Sequence, residues 1–139
     1  MTWFVDTNVL VYAITDGPRR PACRSLLRSI AAGDVAATTS TLVLEEFWHL
    51  EERLSLGDGA ARAALEIFPY VIAVGDWAFI SAMTTAIPDS LGTADRLHAA
   101  VCRSERLDGI ISADHAFDLV PGLTRVEPDD EGVASLPMR

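Results

Sequence analysis

The sequence predicts a single-domain α/β fold: a mainly parallel central sheet of about five strands with helices on both faces. Two observations lead there. Short apolar runs alternate with segments of helical period along the chain, and strands that alternate with helices form a parallel sheet covered on both sides. The 139 residues, 50% of them hydrophobic, suffice for one compact domain with a real core but not for two.

The first strand is the run TWFV at 2–5, followed at once by Asp6, Thr7 and Asn8. These are turn and helix-cap residue types, so the chain reads strand, turn, helix, with Asp6 at the carboxyl end of the strand. Ligands of parallel sheets bind at that edge, which makes Asp6 either a cap or part of a site. Further strands are predicted at 35–38 (VAAT), 71–74 (VIAV), 109–112 (GIIS) and, weakly, 123–126 (LTRV). Helical patterns cover 19–32, 41–56, 58–68, 76–86 and 93–106. Turn signals at Gly33-Asp34, Gly57-Asp58-Gly59, Pro69, Gly75-Asp76, Pro88-Asp89 and Asp108-Gly109 separate them. Residues 1–126 form the domain. Residues 127–139 are acidic, carry Pro and Gly, and lack periodicity, so they are expected to be a loose end or a partner-binding arm.

Bulk properties exclude several classes. No apolar run reaches membrane-span length and no charged leader precedes a signal-type core, so a soluble cytoplasmic protein is expected. Cys23 and Cys102 have no metal or disulfide spacing and read as reduced packing thiols. The net charge is -9 and every basic residue is Arg. Such a surface repels phosphate backbones, so any nucleic acid must be met locally. Arg19, Arg20, Arg24 and Arg28 on one segment, and Arg96, Arg103 and Arg106 on another, are the candidates, although solvated helix faces are the more ordinary reading of such residues.

Four acids stand out together. The segment DGIISADHAFD repeats the first pattern, a strand followed by Asp114 at its carboxyl end. Neighbouring strands lie about 4.8 Å apart, so Asp6 and Asp114 can face one cation if their strands are adjacent. In TLVLEEFWHLEER, stepping ~100° per residue, Leu42, Val43, Leu44, Phe47, Leu50 and Leu54 form an apolar arc. Glu46 falls at its edge and Glu45 opposite its centre. A carboxylate turned toward the body is costly unless paired or metal-bound. Glu51 also lies in the arc and remains a competitor. Asp95 stands in the first turn of the helix that Thr93 is expected to cap, where complementing the helix dipole is the plain explanation. His98, one turn on, reads as a packed or supporting residue. As a set, Asp6, Glu46, Asp95 and Asp114 make an all-oxygen cluster suited to Mg²⁺ or Mn²⁺, and hence to phosphodiester hydrolysis.

FVDTNVLVY, TSTLVLEEFWHL, TADRLHAAV and IISADHAFD, in that order and at this spacing, resemble the PIN domain of bacterial VapC-type toxins. The likeness spans residues 1 to about 126. It implies a sheet between helices and an acidic pocket that holds Mg²⁺ or Mn²⁺ and cuts RNA. It implies that Asp6, Glu46, Asp95 and Asp114 are the family's four acids. Thr7, Asn8 and Ser112 would orient carboxylates or water, with Asp118 a plausible outer ligand. Arg19, Arg20, Arg24 and Arg96 are the candidate RNA contacts. The resemblance also implies a homodimer and a VapB-type antitoxin whose tail fills the acidic groove, and no membrane association. Two other functions are weighed against a toxin endoribonuclease. One is a PIN-like fold kept as a non-catalytic protein-binding module. The other is aspartyl phosphotransfer through Asp6, which usually carries a second Asp where this chain has Asn8.

Overall fold

The computed structural model describes residues 1–84 and 87–139. Its sheet has five strands: β1 (Trp3–Val5), β2 (Ala37–Ser40), β3 (Val71–Ile72), β4 (Gly109–Ile111) and β5 (Arg125–Val126). They run in the order β3-β2-β1-β4-β5, and every pairing is parallel. β1 is therefore central and covered on both faces, which is why three consecutive large residues, Trp3, Phe4 and Val5, are all buried in it.

The crossovers are helical. α1 (Thr7–Ile14) and α2 (Arg20–Ala32) join β1 to β2, and Gly33 ends α2 in the left-handed conformation (φ 83°) that glycine adopts without strain. α3 (Thr41–Leu54) and α4 (Ala60–Ile67) lead to β3; α5 (Asp76–Thr84) and α6 (Thr93–Ser104) lead to β4. The last two positions of the helix expected over 76–86 lie outside the described residues. Phe4, Val9, Leu10, Leu26, Phe47, Val101, Ile110 and Phe117 form the centre of one core. At Gly109 a Cβ would run into the Thr124 carbonyl and the Trp3 ring, so β5 closes on β4 only with glycine there.

Two expectations are corrected. The second strand forms at Ala37–Ser40 and not at 35–38, because the hydroxyl residues Thr38, Thr39 and Ser40 are fully buried with their needs met. Thr38 donates to Tyr70 O (2.9 Å), Thr39 donates to Val5 O (2.8 Å), and Ser40 accepts from Val43 N (3.2 Å) as the cap of α3. Satisfied hydroxyls carry little penalty, so polarity did not mark the strand's end. The acidic tail is not loose. α7 (Asp130–Ser135), capped by Asp129, packs on α2; Leu136 is buried and the Arg139 amide donates to Asp34 O (2.7 Å). A six-residue helix is too short to display a period. Among the described residues no helix is long and apolar enough to cross a membrane.

Candidate active site

The register Val5↔Ile111 brings the next residues of β1 and β4, Asp6 and Ser112, abreast. Asp6 fills the cap role and also lines a cleft. It caps α1, accepting from Thr7 N (2.7 Å), and its other oxygen accepts from Ser112 Oγ (2.6 Å) and Asn8 Nδ2 (3.1 Å). Asn8 Nδ2 also reaches Ser112 Oγ (3.0 Å), and Asn8 Oδ1 accepts from Ala113 N (3.2 Å). Ser112 Oγ in turn accepts from Asp114 N (3.0 Å), and Asp114 caps the 3-10 turn His115–Leu119 by accepting from Ala116 N (2.9 Å). Asn8 and Ser112 thus knit the two strand ends that carry Asp6 and Asp114, while Thr7 gives its amide to Asp6.

The other two acids reach the same place. Asp6, Glu46, Asp95 and Asp114 line one cleft of about 410 Å³, together with Thr7, Asn8 and an apolar strip. Glu46 sits on the flank of α3 that faces this cleft, while Glu45 is exposed and lines a different groove. Asp95, in the first turn of α6, has its carboxyl pushed up to about 6, first by burial and then by the charges of Asp6 and Asp114 and a hydrogen bond shared with Asp114. Burial raises Asp6 as well, against the pull of His98, Ser112 and Thr7 N.

His98 is the buried counter-group. Its Nε2 lies 2.8 Å from Glu46 Oε1 and 3.8 Å from Asp6 Oδ1, at ion-pair distance, although neither contact is aligned as a hydrogen bond. Burial opposes its charge, but Glu46, Asp6 and Asp95 outweigh that and raise its pKa. The sequence pointed to a supporting residue here, and the ring, packed 5.6 Å from Phe4, fits that description.

Other candidates stand elsewhere. Glu51 turns from the cleft and accepts from Ala60 N (2.5 Å) at the start of α4. Asp118 does not line the cleft; it pairs with Arg125 (2.9 Å) and His115 (3.2 Å). Arg19 is paired with Glu127 (2.5 Å), Arg20 with Asp16 (2.7 Å) and Arg96 with Asp89 (3.0 Å), while Arg24 donates to Ala13 O (2.9 Å). Sequence reasoning missed Arg125. Its side chain, 8% exposed, donates to Ser112 O (2.7 Å), Glu127 (2.6 Å) and Asp118, and so braces the loop between Ser112 and Asp114 from behind. A lone Arg inside the predicted strand LTRV was the available signal.

Among the described residues no three His, Cys, Asp or Glu side chains are drawn in as a ready-made ligand set. The donors nonetheless fit a hard divalent cation. They are all oxygens, they crowd one another enough to raise Asp95, and Thr7 Oγ1 is buried there without a hydrogen-bond partner.

Comparison with known proteins agrees with this layout. The model of the PIN domain family matches residues 3–123. Ribonuclease VapC7 of Mycobacterium tuberculosis (strain ATCC 25618 / H37Rv) is 33% identical over 141 aligned positions, covering 95% of this chain and 95% of that protein. A toxin-antitoxin complex from Klebsiella pneumoniae contains a chain that superposes with a TM-score of 0.68 at 20% identity, covering 91% of this chain and 97% of that one. Mycobacterium tuberculosis VapC20, a sarcin-ricin loop cleaving toxin, superposes with a TM-score of 0.60 at 22% identity, covering 88% and 98%.

Proposed function

The chain belongs to the PIN domain family, and from that premise we propose that it is a Mg²⁺- or Mn²⁺-dependent endoribonuclease, the toxin of a toxin-antitoxin pair. The observation that carries the reading is the convergence of Asp6, Glu46, Asp95 and Asp114, from four separate elements, on one solvent-reachable cleft. The ribonuclease name of the 33%-identical relative supports the reaction class, and the toxin-antitoxin neighbour supports the pairing.

Asp6, Glu46, Asp95 and Asp114 would hold the metal. Bound there, it would supply an activated water and offset the negative charge that builds on the phosphate oxygens. The rest belongs to the chain. Ser112, Asn8 and the Thr7 amide fix the Asp6 carboxylate in one rotamer, and Asp114 is fixed through Ala116 N. His98 holds Glu46 at the cleft, and the carboxylates around it favour its protonated form. The second Asp that phosphotransfer usually needs is Asn8 here, and its amide is spent on Asp6, Ser112 and Ala113 N, which disfavours phosphotransfer. The proposed partners are RNA, a second copy of the chain, and a VapB-type antitoxin whose tail enters the acidic cleft; the proposed location is the cytoplasm.

Asp6→Asn should abolish metal-dependent cleavage of mixed RNA while leaving circular dichroism unchanged; cleavage at the wild-type rate would overturn the reading. Mn²⁺ at about 100 times its Kd should add about 2.7 kcal/mol to stability by linkage, read as a rise in Tm that Asp6→Asn diminishes. An unmoved wild-type Tm would count against a metal site at these carboxylates.

A further inference from the structure

Beside the carboxylates, the cleft is lined by Val11 and Tyr12 of α1 and by Leu50 and Leu54 of α3. Leu50 and Leu54 continue the apolar stripe of α3, whose Val43 and Phe47 are buried in the core. Yet Leu50 is half-buried and Leu54 is 54% exposed. The stripe runs past the end of the core and along the cleft. Tyr12 is half-buried and held in place: the Arg19 guanidinium lies 5.3 Å from its ring centroid and is itself anchored to Glu127.

Charge says what this strip is for. The chain carries a net -9, and Arg19, Arg20, Arg96 and Arg125 spend their guanidinium groups on its own carboxylates. Attraction to phosphates, the usual main source of affinity for nucleic acid, is therefore weak here. A strand whose phosphate meets the carboxylates must be held by its bases, and aromatic and aliphatic side chains hold unstacked bases without regard to sequence.

Resting on the ribonuclease reading, we propose that Tyr12, with Val11, Leu50 and Leu54, forms a nucleobase subsite that takes the base adjoining the scissile phosphate of single-stranded RNA. The subsite supplies affinity and the carboxylate end supplies chemistry. KM should therefore depend on this strip and only shallowly on salt.

The test is steady-state cleavage of a short mixed-sequence single-stranded RNA in Mn²⁺ by wild type, Tyr12→Ala, Tyr12→Phe and Leu54→Ala, each checked by thermal melting. Leu54 is exposed enough that its variant keeps the fold informative if Tyr12→Ala does not fold. Tyr12→Ala should raise KM about tenfold with kcat little changed, the scale of one lost stacking contact, and Tyr12→Phe should recover most of it. Leu54→Ala should raise KM in the same direction. Equal KM values across folded variants would overturn the subsite while leaving the ribonuclease reading intact. So would unchanged RNA kinetics combined with weakened binding of an antitoxin tail peptide, which would give the strip to a protein partner. No metal-dependent cleavage by the wild type would overturn both.

Discussion

At the scale of the residue, Asp95 gives the clearest prediction. Its folded pKa of about 6 lies above the ordinary 3.8, so the metal-free folded protein binds a proton that the unfolded chain releases. The stability this contributes is full below 3.8 and is lost as pH rises through about 6. Asp6 and His98 are raised as well and act in the same sense. In EDTA, Tm should accordingly fall by a few degrees from pH 5 to pH 7, and Asp95→Asn should flatten the slope. A Tm that climbs over that interval would contradict it. Glu46 shows what the sequence makes legible at this scale: helical phase alone chose it over Glu45. Glu51 shows the limit. It shares the apolar arc, and only the turn that brings Ala60 N to its carboxylate explains its burial.

Single elements depend on polar anchors that hydropathy does not register. Glu51→Ala removes a buried charged acceptor from the start of α4 and should cost about 2 kcal/mol in urea unfolding, with RNA cleavage preserved. Arg125 anchors more. Arg125→Gln should cost about 2 kcal/mol, since it takes one partner each from Glu127, which keeps Arg19, and from Asp118, which keeps His115, and leaves Ser112 O without its donor, and it should lower kcat by loosening Ser112 and Asp114. Arg125→Lys should rescue little, because one ammonium cannot replace a fork that meets three partners. Helix and strand positions were read from period and turn chemistry to within a few residues. The offset of β2 arose because three buried hydroxyls satisfied by Tyr70 O, Val5 O and Val43 N look, in sequence, like a loop.

For the whole molecule, alternation of strands and helices was enough to foresee a parallel sheet, and the strand-end acids enough to foresee that Asp6 and Asp114 open on one edge of it. The tail could not be foreseen, since its attachment depends on one buried leucine and on Glu127 meeting Arg19 and Arg125 from distant parts of the chain. Ending the chain after Val126 should lower stability by about 3 kcal/mol, the worth of a buried leucine plus the two ion pairs of Glu127, as measured by the urea midpoint. The central place of β1 has a consequence for how the protein comes to be. Asp6 is held by Ser112, 106 positions later, and β1 needs β4 beside it to complete the sheet. While a ribosome is still extending the polypeptide, the first acid waits without the serine that fixes it and without the last of its companions. The cleft lined by all four acids therefore exists only once residues 112–114 have been made and β4 has docked beside β1.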